Sequence, residues 1–139
     1  MFVYQHKIKL HETDAAGILF FSHQFEIIHD AYECVLEKIG FGFAELINNQ
    51  SFFLPIVHAE SDYKKPLFVG DLLEIEVRME SVGQTSFVFA YQIFNHKKEL
   101  VGSARTVHVT IDKKTKEKIP LPSLMREKVL QLRDEDKKK

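Results

Sequence analysis

The stretch HETDAAGILFFSHQFEIIHDAYE, residues 11–33, joins a turn of small residues to the start of a long amphipathic pattern. Asp14 lies in the turn, and Gly17 follows it after two alanines. From Ser22 to about Ile39 apolar residues recur at spacings of three and four, with charged residues on the opposite side. Ser22 is of a type that caps helix starts, and Gly40 is of a type that follows helix ends. The sequence therefore predicts a helix over about residues 22–39, directly after a turn that carries a carboxylate.

Outside this stretch the chain alternates between polar and apolar residues, as half-buried strands do. The alternation predicts strands over residues 1–10, 55–65, 73–80, 87–93 and 99–111, with short helices near 42–49 and after Pro122. One long helix against consecutive antiparallel strands is an α+β fold, with a curved sheet wrapped around the helix. We expect a single domain over residues 1–132, followed by a charged, frayed tail over residues 133–139.

Composition restricts the class of protein. A length of 139 residues fits one domain, and a formal net charge of −1 gives no global bias toward nucleic acid. The single cysteine, Cys34, excludes an intramolecular disulfide and fits a reducing compartment. The N-terminus lacks the pattern of a signal peptide, and no run approaches the roughly 20 apolar residues of a membrane span. We therefore expect a soluble, cytoplasmic protein that does not bind nucleic acid and has no membrane span.

The turn at Asp14 combines two features that suit the hydrolysis of an activated acyl group. A helix start leaves backbone N–H groups without partners, and these groups stabilise a developing oxyanion. A carboxylate beside them supplies a nucleophile or a general base. The alternative is structural, because Asp commonly caps turns through its side chain. No Gly-x-Ser-x-Gly elbow or His-Glu-x-x-His spacing occurs, so the sequence favours neither a serine triad nor a metal, and no cofactor is expected.

The run Asp14–Ile18, followed by two aromatic residues and a long helix, resembles the signature of the 4-hydroxybenzoyl-CoA thioesterase branch of the hotdog-fold superfamily. The strings over residues 29–33 and 54–59, with Asp62, Pro66 and Gly70-Asp71, are most similar to the 1,4-dihydroxy-2-naphthoyl-CoA hydrolases of phylloquinone and menaquinone synthesis. The resemblance covers about residues 2–122. It implies a hotdog fold, hydrolysis of an aromatic acyl-CoA, and a homodimer or homotetramer with active sites at subunit interfaces.

The resemblance also implies roles for individual residues. It makes Asp14 the catalytic carboxylate, either as nucleophile or as general base, and places the oxyanion against backbone N–H groups between Gly17 and Phe21. Relatives carry Tyr or His at the position of Phe21, whose side chain cannot donate a hydrogen bond, so only its N–H can serve. His58, Lys64 and Lys65 are candidates for substrate binding, although a lone strand His or a surface Lys is more often structural.

Two other functions stay open from the sequence. One is a thioesterase for short-chain or hydroxybenzoyl-CoA substrates, since the Asp turn is shared by many acyl-CoA thioesterases. The other is a non-catalytic acyl-CoA-binding module on the same fold. Asp14 favours an enzyme, because a binding module has no need of a carboxylate where negative charge develops.

Overall fold

A computed structural model describes residues 1–138 and contains a five-stranded sheet crossed by one long helix. The sheet strands are β1 (Phe2–Lys7), β3 (Ile56–Tyr63), β4 (Leu72–Val82), β5 (Ser86–Phe94) and β6 (Leu100–Val109), all antiparallel in the order β1-β4-β5-β6-β3. The helices are α1 (Phe21–Lys38), α2 (Phe43–Asn49) and α3 (Ser123–Lys137), and β2 (Phe52–Phe53) pairs with β7 (Ile111–Asp112). The predicted α+β architecture is confirmed.

The core lies between α1 and one face of the sheet. The apolar stripe of α1 is buried, and so are alternate residues of β4 and β5. Each fully buried Leu, Ile or Phe side chain contributes about 1.5–3 kcal/mol. The stripe and the alternation therefore account for the packing of the long helix on the sheet. The buried core includes Ile27, Ile28, Tyr32, Val35, Leu36, Ile75, Val77, Phe87, Phe89 and Ile93.

The start of α1 differs from the prediction by one residue, and the predicted cap is wrong. The helix begins at Phe21, Phe20 occupies the N-cap position, and Ser22 lies inside the first turn. The Leu19 N–H donates to Leu67 O and the Phe20 N–H donates to Glu12 O. These tertiary hydrogen bonds keep the chain extended as far as Phe20, so the helix starts where they end. At the other end, Gly40 adopts a φ of +89°, as a residue after a helix end does.

The strand β3 lies at one edge of the sheet, hydrogen-bonded to β6 on one side only. Almost all of its residues are exposed, including Ile56 and Val57. An edge strand with exposed apolar residues is a template for pairing with another chain.

The C-terminal residues correct another expectation. The sequence predicts a frayed tail from residue 133, but α3 continues to Lys137. Asp136 Oδ2 accepts a hydrogen bond of 2.8 Å from the Met79 N–H, and Asp136 Oδ1 lies 2.6 Å from the N-terminal amine. These contacts hold the charged end of the helix against β4. Lys139 lies outside the described residues.

Candidate active site

The turn that carries Asp14 is closed by hydrogen bonds of its own. Asp14 Oδ1 accepts from the Ala16 N–H at 2.8 Å and from the Ile18 N–H at 3.2 Å. The Asp14 N–H donates to Ile18 O at 2.8 Å. Asp14 is exposed, and its second carboxylate oxygen, Oδ2, makes no hydrogen bond with residues 1–138. The carboxylate therefore caps the turn through one oxygen and leaves the other available for chemistry.

The N–H groups of the two predicted oxyanion donors differ in their hydrogen-bond partners. The Gly17 N–H donates to Asp14 O at 3.0 Å, so in this structure it is engaged within the turn. Gly17 also supplies the φ of +76° that closes the turn. The Phe21 and Ser22 N–H groups, at the first turn of α1, find no acceptor among the described residues. N–H groups without partners at a helix start are suited to bind a negatively charged oxygen, and Phe21 stays the predicted oxyanion donor.

A groove of about 310 Å³ runs between the start of α1 and the segment that follows β3. It brings together Phe21, Lys64 and Lys65, three of the predicted site residues. Phe21 is 61% exposed, and Lys65 forms an ion pair with Glu99. The groove is lined by Ile18, Leu19, Phe21, Gln24, Tyr63, Lys64, Lys65, Pro66 and Leu67.

His58 is not brought to this groove. It is exposed on β3, and its Nε2 lies 3.2 Å from Glu60 Oε1. Glu60 in turn accepts a hydrogen bond from Arg105, which also binds Glu80. Within one chain, His58 therefore belongs to a surface ion network on the edge strand.

Two side chains that were not predicted from the sequence join the walls of the groove by hydrogen bonds. Tyr63 donates its hydroxyl hydrogen to Phe21 O at 2.6 Å, and burial raises the pKa of Tyr63, which keeps it protonated. Gln24 Nε2 donates to Ser61 Oγ at 2.7 Å and to Asp62 O at 3.1 Å. The sequence could have indicated a role for Gln24, because it is a polar residue on the apolar face of α1. The sequence could not have indicated the role of Tyr63, since its partner is a backbone atom distant in sequence.

A second cavity, of about 180 Å³, lies further along α1 between the helix and the sheet. Most of its wall is apolar, and its helical residues continue the line that starts at Phe21 and Gln24. Beneath it, Tyr91 and His108 each hydrogen-bond to Thr106 Oγ1 at 2.7 Å. Burial lowers the pKa of His108 to about 3, so this His is neutral. The cavity is lined by Phe25, Ile28, His29, Tyr32, Ile56, Ala59, Tyr91 and Thr106.

A buried pair holds the base of the Asp14 turn. His6 Nε2 lies 3.0 Å from both carboxylate oxygens of Glu12, and the Lys9 N–H donates to Glu12 Oε1 at 2.8 Å. Burial alone raises the pKa of Glu12, but the Lys9 N–H and His6 outweigh it, so the pKa lies below its ordinary value. The carboxylate of Glu12 is therefore ionised, and it orders the segment between β1 and the turn.

Neither a metal cluster nor a membrane-spanning helix is found within residues 1–138. No three His, Cys, Asp or Glu side chains gather there in a way that could hold a metal ion. None of the helices has the length and apolar character needed to cross a membrane.

Known proteins are similar to this chain in sequence and in structure. Residues 8–129 match the model of the family described as the thioesterase-like superfamily. The chain belongs to this superfamily. It is 34% identical over 125 residues to a 1,4-dihydroxy-2-naphthoyl-CoA hydrolase of Synechococcus elongatus, covering 89% of this chain and 91% of that one.

Solved structures of two thioesterases confirm the predicted hotdog fold. The crystal structure of a 1,4-dihydroxy-2-naphthoyl-CoA thioesterase from Synechocystis is 30% identical, with a TM-score of 0.88, and covers 94% of this chain and 96% of that one. A gentisyl-coenzyme A thioesterase is 27% identical, with a TM-score of 0.82, covering 91% and 98%. The resemblance identified from the Asp14 turn is thereby confirmed at the level of the family.

Proposed function

We propose that the chain is an acyl-CoA thioesterase that hydrolyses an aromatic acyl-CoA, 1,4-dihydroxy-2-naphthoyl-CoA of quinone biosynthesis. The observation that carries the proposal is that Asp14 keeps Oδ2 free and that the Phe21 and Ser22 N–H groups, a few residues further along the chain at the start of α1, have no partner among the described residues. The similarity to proteins named as hydrolases and thioesterases of that substrate supports the choice of acyl group.

The reaction uses the two parts of the site together. The thioester oxygen binds at the Phe21 N–H, where the positive end of the α1 dipole stabilises the charge that develops on it. Asp14 acts through Oδ2, by attack on the carbonyl carbon to give a mixed anhydride or by removing a proton from an attacking water. Both routes consume one water and release the carboxylic acid and the CoA thiol.

The groove and the second cavity, both along α1, suit the two ends of such a substrate. The groove beside Lys64 and Lys65 takes the pantetheine arm, and the lysines meet the CoA phosphates at its mouth. The apolar cavity takes the ring, since an engineered apolar cavity of about 150 Å³ is large enough to bind benzene. The exposed ring of Phe21 offers an apolar contact to a flat acyl group near the thioester.

The proposed assembly is a homodimer, or a tetramer built from such dimers, paired through the exposed edge strand β3. Ile56 and Val57 are the apolar residues that this pairing covers. His58 lies on the same strand, away from the groove of its own chain, so its substrate contact belongs to a site completed by the partner. We infer that the assembly acts in the reducing cytoplasm, and the single cysteine, Cys34, supports this because it leaves no intramolecular disulfide to form.

A panel of acyl-CoA thioesters tests the proposal by release of free thiol. We expect kcat/KM to be highest for 1,4-dihydroxy-2-naphthoyl-CoA, lower for single-ring hydroxybenzoyl thioesters, and lowest for short aliphatic ones. An aliphatic preference would overturn the aromatic assignment. Tight binding of all thioesters without turnover would identify a binding module instead of an enzyme.

A hydroxybenzoyl-CoA thioesterase is the second candidate, and one observation favours it. The gentisyl-coenzyme A thioesterase has the same fold at 27% identity, and its acyl group is a single dihydroxylated ring. In the panel, a higher kcat/KM for gentisyl-CoA than for the naphthoyl thioester would select this function.

A further inference from the structure

Gln24 is a polar side chain buried in the wall of the groove. The residue is 2% exposed and lies one helical turn after Phe21 on α1. It lines the groove beside Tyr63 and Lys64. A buried amide in this position is costly unless its polar atoms have partners.

The orientation of the Gln24 amide is fixed by its partners. Asp62 O is a carbonyl oxygen and can only accept, so the atom that faces it must be Nε2. Ser61 donates its hydroxyl hydrogen to Ser103 O, so Ser61 Oγ also accepts from Gln24. Both hydrogens of Nε2 are therefore used, and Oε1 points away from β3.

The fold makes room for this arrangement. A Cβ atom at Gly102 would lie 3.1 Å from Gln24 Nε2 and 3.2 Å from Asp62 O. These separations are tighter than ordinary van der Waals contact, so a side chain at residue 102 would displace the amide. Gly102 thus allows Gln24 to reach the edge strand.

The Oε1 atom of Gln24 has no partner within the part of the chain that the structure describes. It accepts no hydrogen bond from any residue between 1 and 138. It is also not sealed inside the molecule, unlike the hydroxyl group of Tyr32 and Nδ1 of His108, which are buried without partners. An acceptor held rigidly in a groove wall is preorganised to bind a donor of a ligand.

We propose that Gln24 Oε1 accepts the amide N–H of the pantetheine arm nearest the thioester. In CoA thioesters this N–H is separated from the sulfur by two methylene groups. Gln24 lines the groove that takes the pantetheine arm, about one helical turn from the Phe21 N–H at which the thioester oxygen lies. The proposal rests on the proposed function, and it identifies the substrate class as pantetheine thioesters instead of thioesters in general.

The test compares a substrate that carries the amide N–H donor with one that lacks it. An aromatic N-acetylcysteamine thioester carries the amide N–H, and its carba analogue has CH2 in place of that group. For the native protein we expect kcat/KM to be about two- to tenfold higher with the N–H, the range for one neutral hydrogen bond. In Gln24→Met the ratio of the two kcat/KM values should fall to about one. Damage to the fold lowers both rates and leaves their ratio unchanged.

Ser61→Ala is the matched control. It removes one partner of Nε2 but keeps Oε1, so the native ratio should be retained. A ratio near one in the native protein, or a native ratio that survives in Gln24→Met, would overturn the proposal while the thioesterase function stands. If the full acyl-CoA is not hydrolysed, the proposed function fails. In the case that the acyl-CoA is hydrolysed but neither short thioester is, the two rates give no ratio. The ¹⁵N signal of the Gln24 side-chain amide then decides: a shift on titration with pantetheine supports the proposal, and no shift overturns it.

Discussion

Asp14 uses its two carboxylate oxygens for different purposes, and one substitution separates them. In Asp14→Asn the amide oxygen still accepts from the Ala16 and Ile18 N–H groups, so the turn is retained. The amide can neither attack a carbonyl nor take a proton from water. We expect kcat to fall by roughly 10³ or more with little change in KM, measured by thiol release at saturating acyl-CoA.

The control for that variant is Asp112→Asn. Asp112 Oδ2 also accepts from backbone N–H groups, those of Lys114 and Thr115, in a turn away from the groove. Its replacement should leave kcat within about twofold of native. If Asp14→Asn folds normally and keeps more than about a tenth of the native activity, Asp14 is not the catalytic group.

Glu12 gives a pH-dependent prediction. Its pKa is lowered from 4.5, so its charge stabilises the folded state above that value, and the stabilisation is lost as the pH falls through the lowered pKa. We expect the difference in Tm between the native protein and Glu12→Gln to be largest near neutral pH. Below about pH 4 the difference should shrink. Thermal unfolding from pH 2.5 to 7 measures it, with Glu117→Gln at an exposed position as control. A constant difference across this range would contradict the role of Glu12.

At the scale of elements, α3 depends on a carboxylate near its last turn. In Asp136→Ala the Met79 N–H loses its acceptor and the N-terminal amine loses its ion pair. An unsatisfied buried N–H costs about 1–3 kcal/mol, so we expect a lower Tm and unchanged kcat. Asp134→Ala, at an exposed position on the same helix, should have almost no effect. Equal Tm values for the two variants would show that the contact of Asp136 is not stabilising.

The elements were predictable to different degrees, for physical reasons. The length of α1 and the strands β4 and β5 follow from local periodicity, because each buries one face. Periodicity does not specify the hydrogen-bond partners that determine the cap at Phe20, the extension of α3 to Lys137 and the engagement of the Gly17 N–H in the turn. For the candidate site, Asp14 and Phe21 could be predicted together because the turn and the helix start are contiguous in sequence. Tyr63 was missed because its partner, Phe21, is distant in the chain.

For the whole molecule, the exposed strand β3 leads to a test of the assembly. Val57→Asp places a charge on the strand at which we propose pairing, and burying an unpaired charge is strongly unfavourable. We expect light scattering to give an oligomer for the native chain and a monomer for this variant, with a dissociation constant raised at least about tenfold. Activity should fall with it, because the proposed sites lie at the interface.

Leu124→Asp is the control for this experiment. Leu124 is also an exposed apolar residue, but it lies on α3 and not on the edge strand. Its replacement should leave the oligomer intact. A native chain that is monomeric at micromolar concentration would contradict the proposed pairing through β3.

The arrangement of the groove and the second cavity along a single helix has an evolutionary consequence. Substitutions at Phe25, Ile28 or His29 reshape the inner cavity, whereas the turn of Asp14 is held by Glu12 and by the backbone of residues 67–69. Selection for a new acyl group can therefore act on substitutions in the middle of α1 without disturbing the chemistry at its start. A lineage built on this design can diversify its substrates while keeping one inherited reaction.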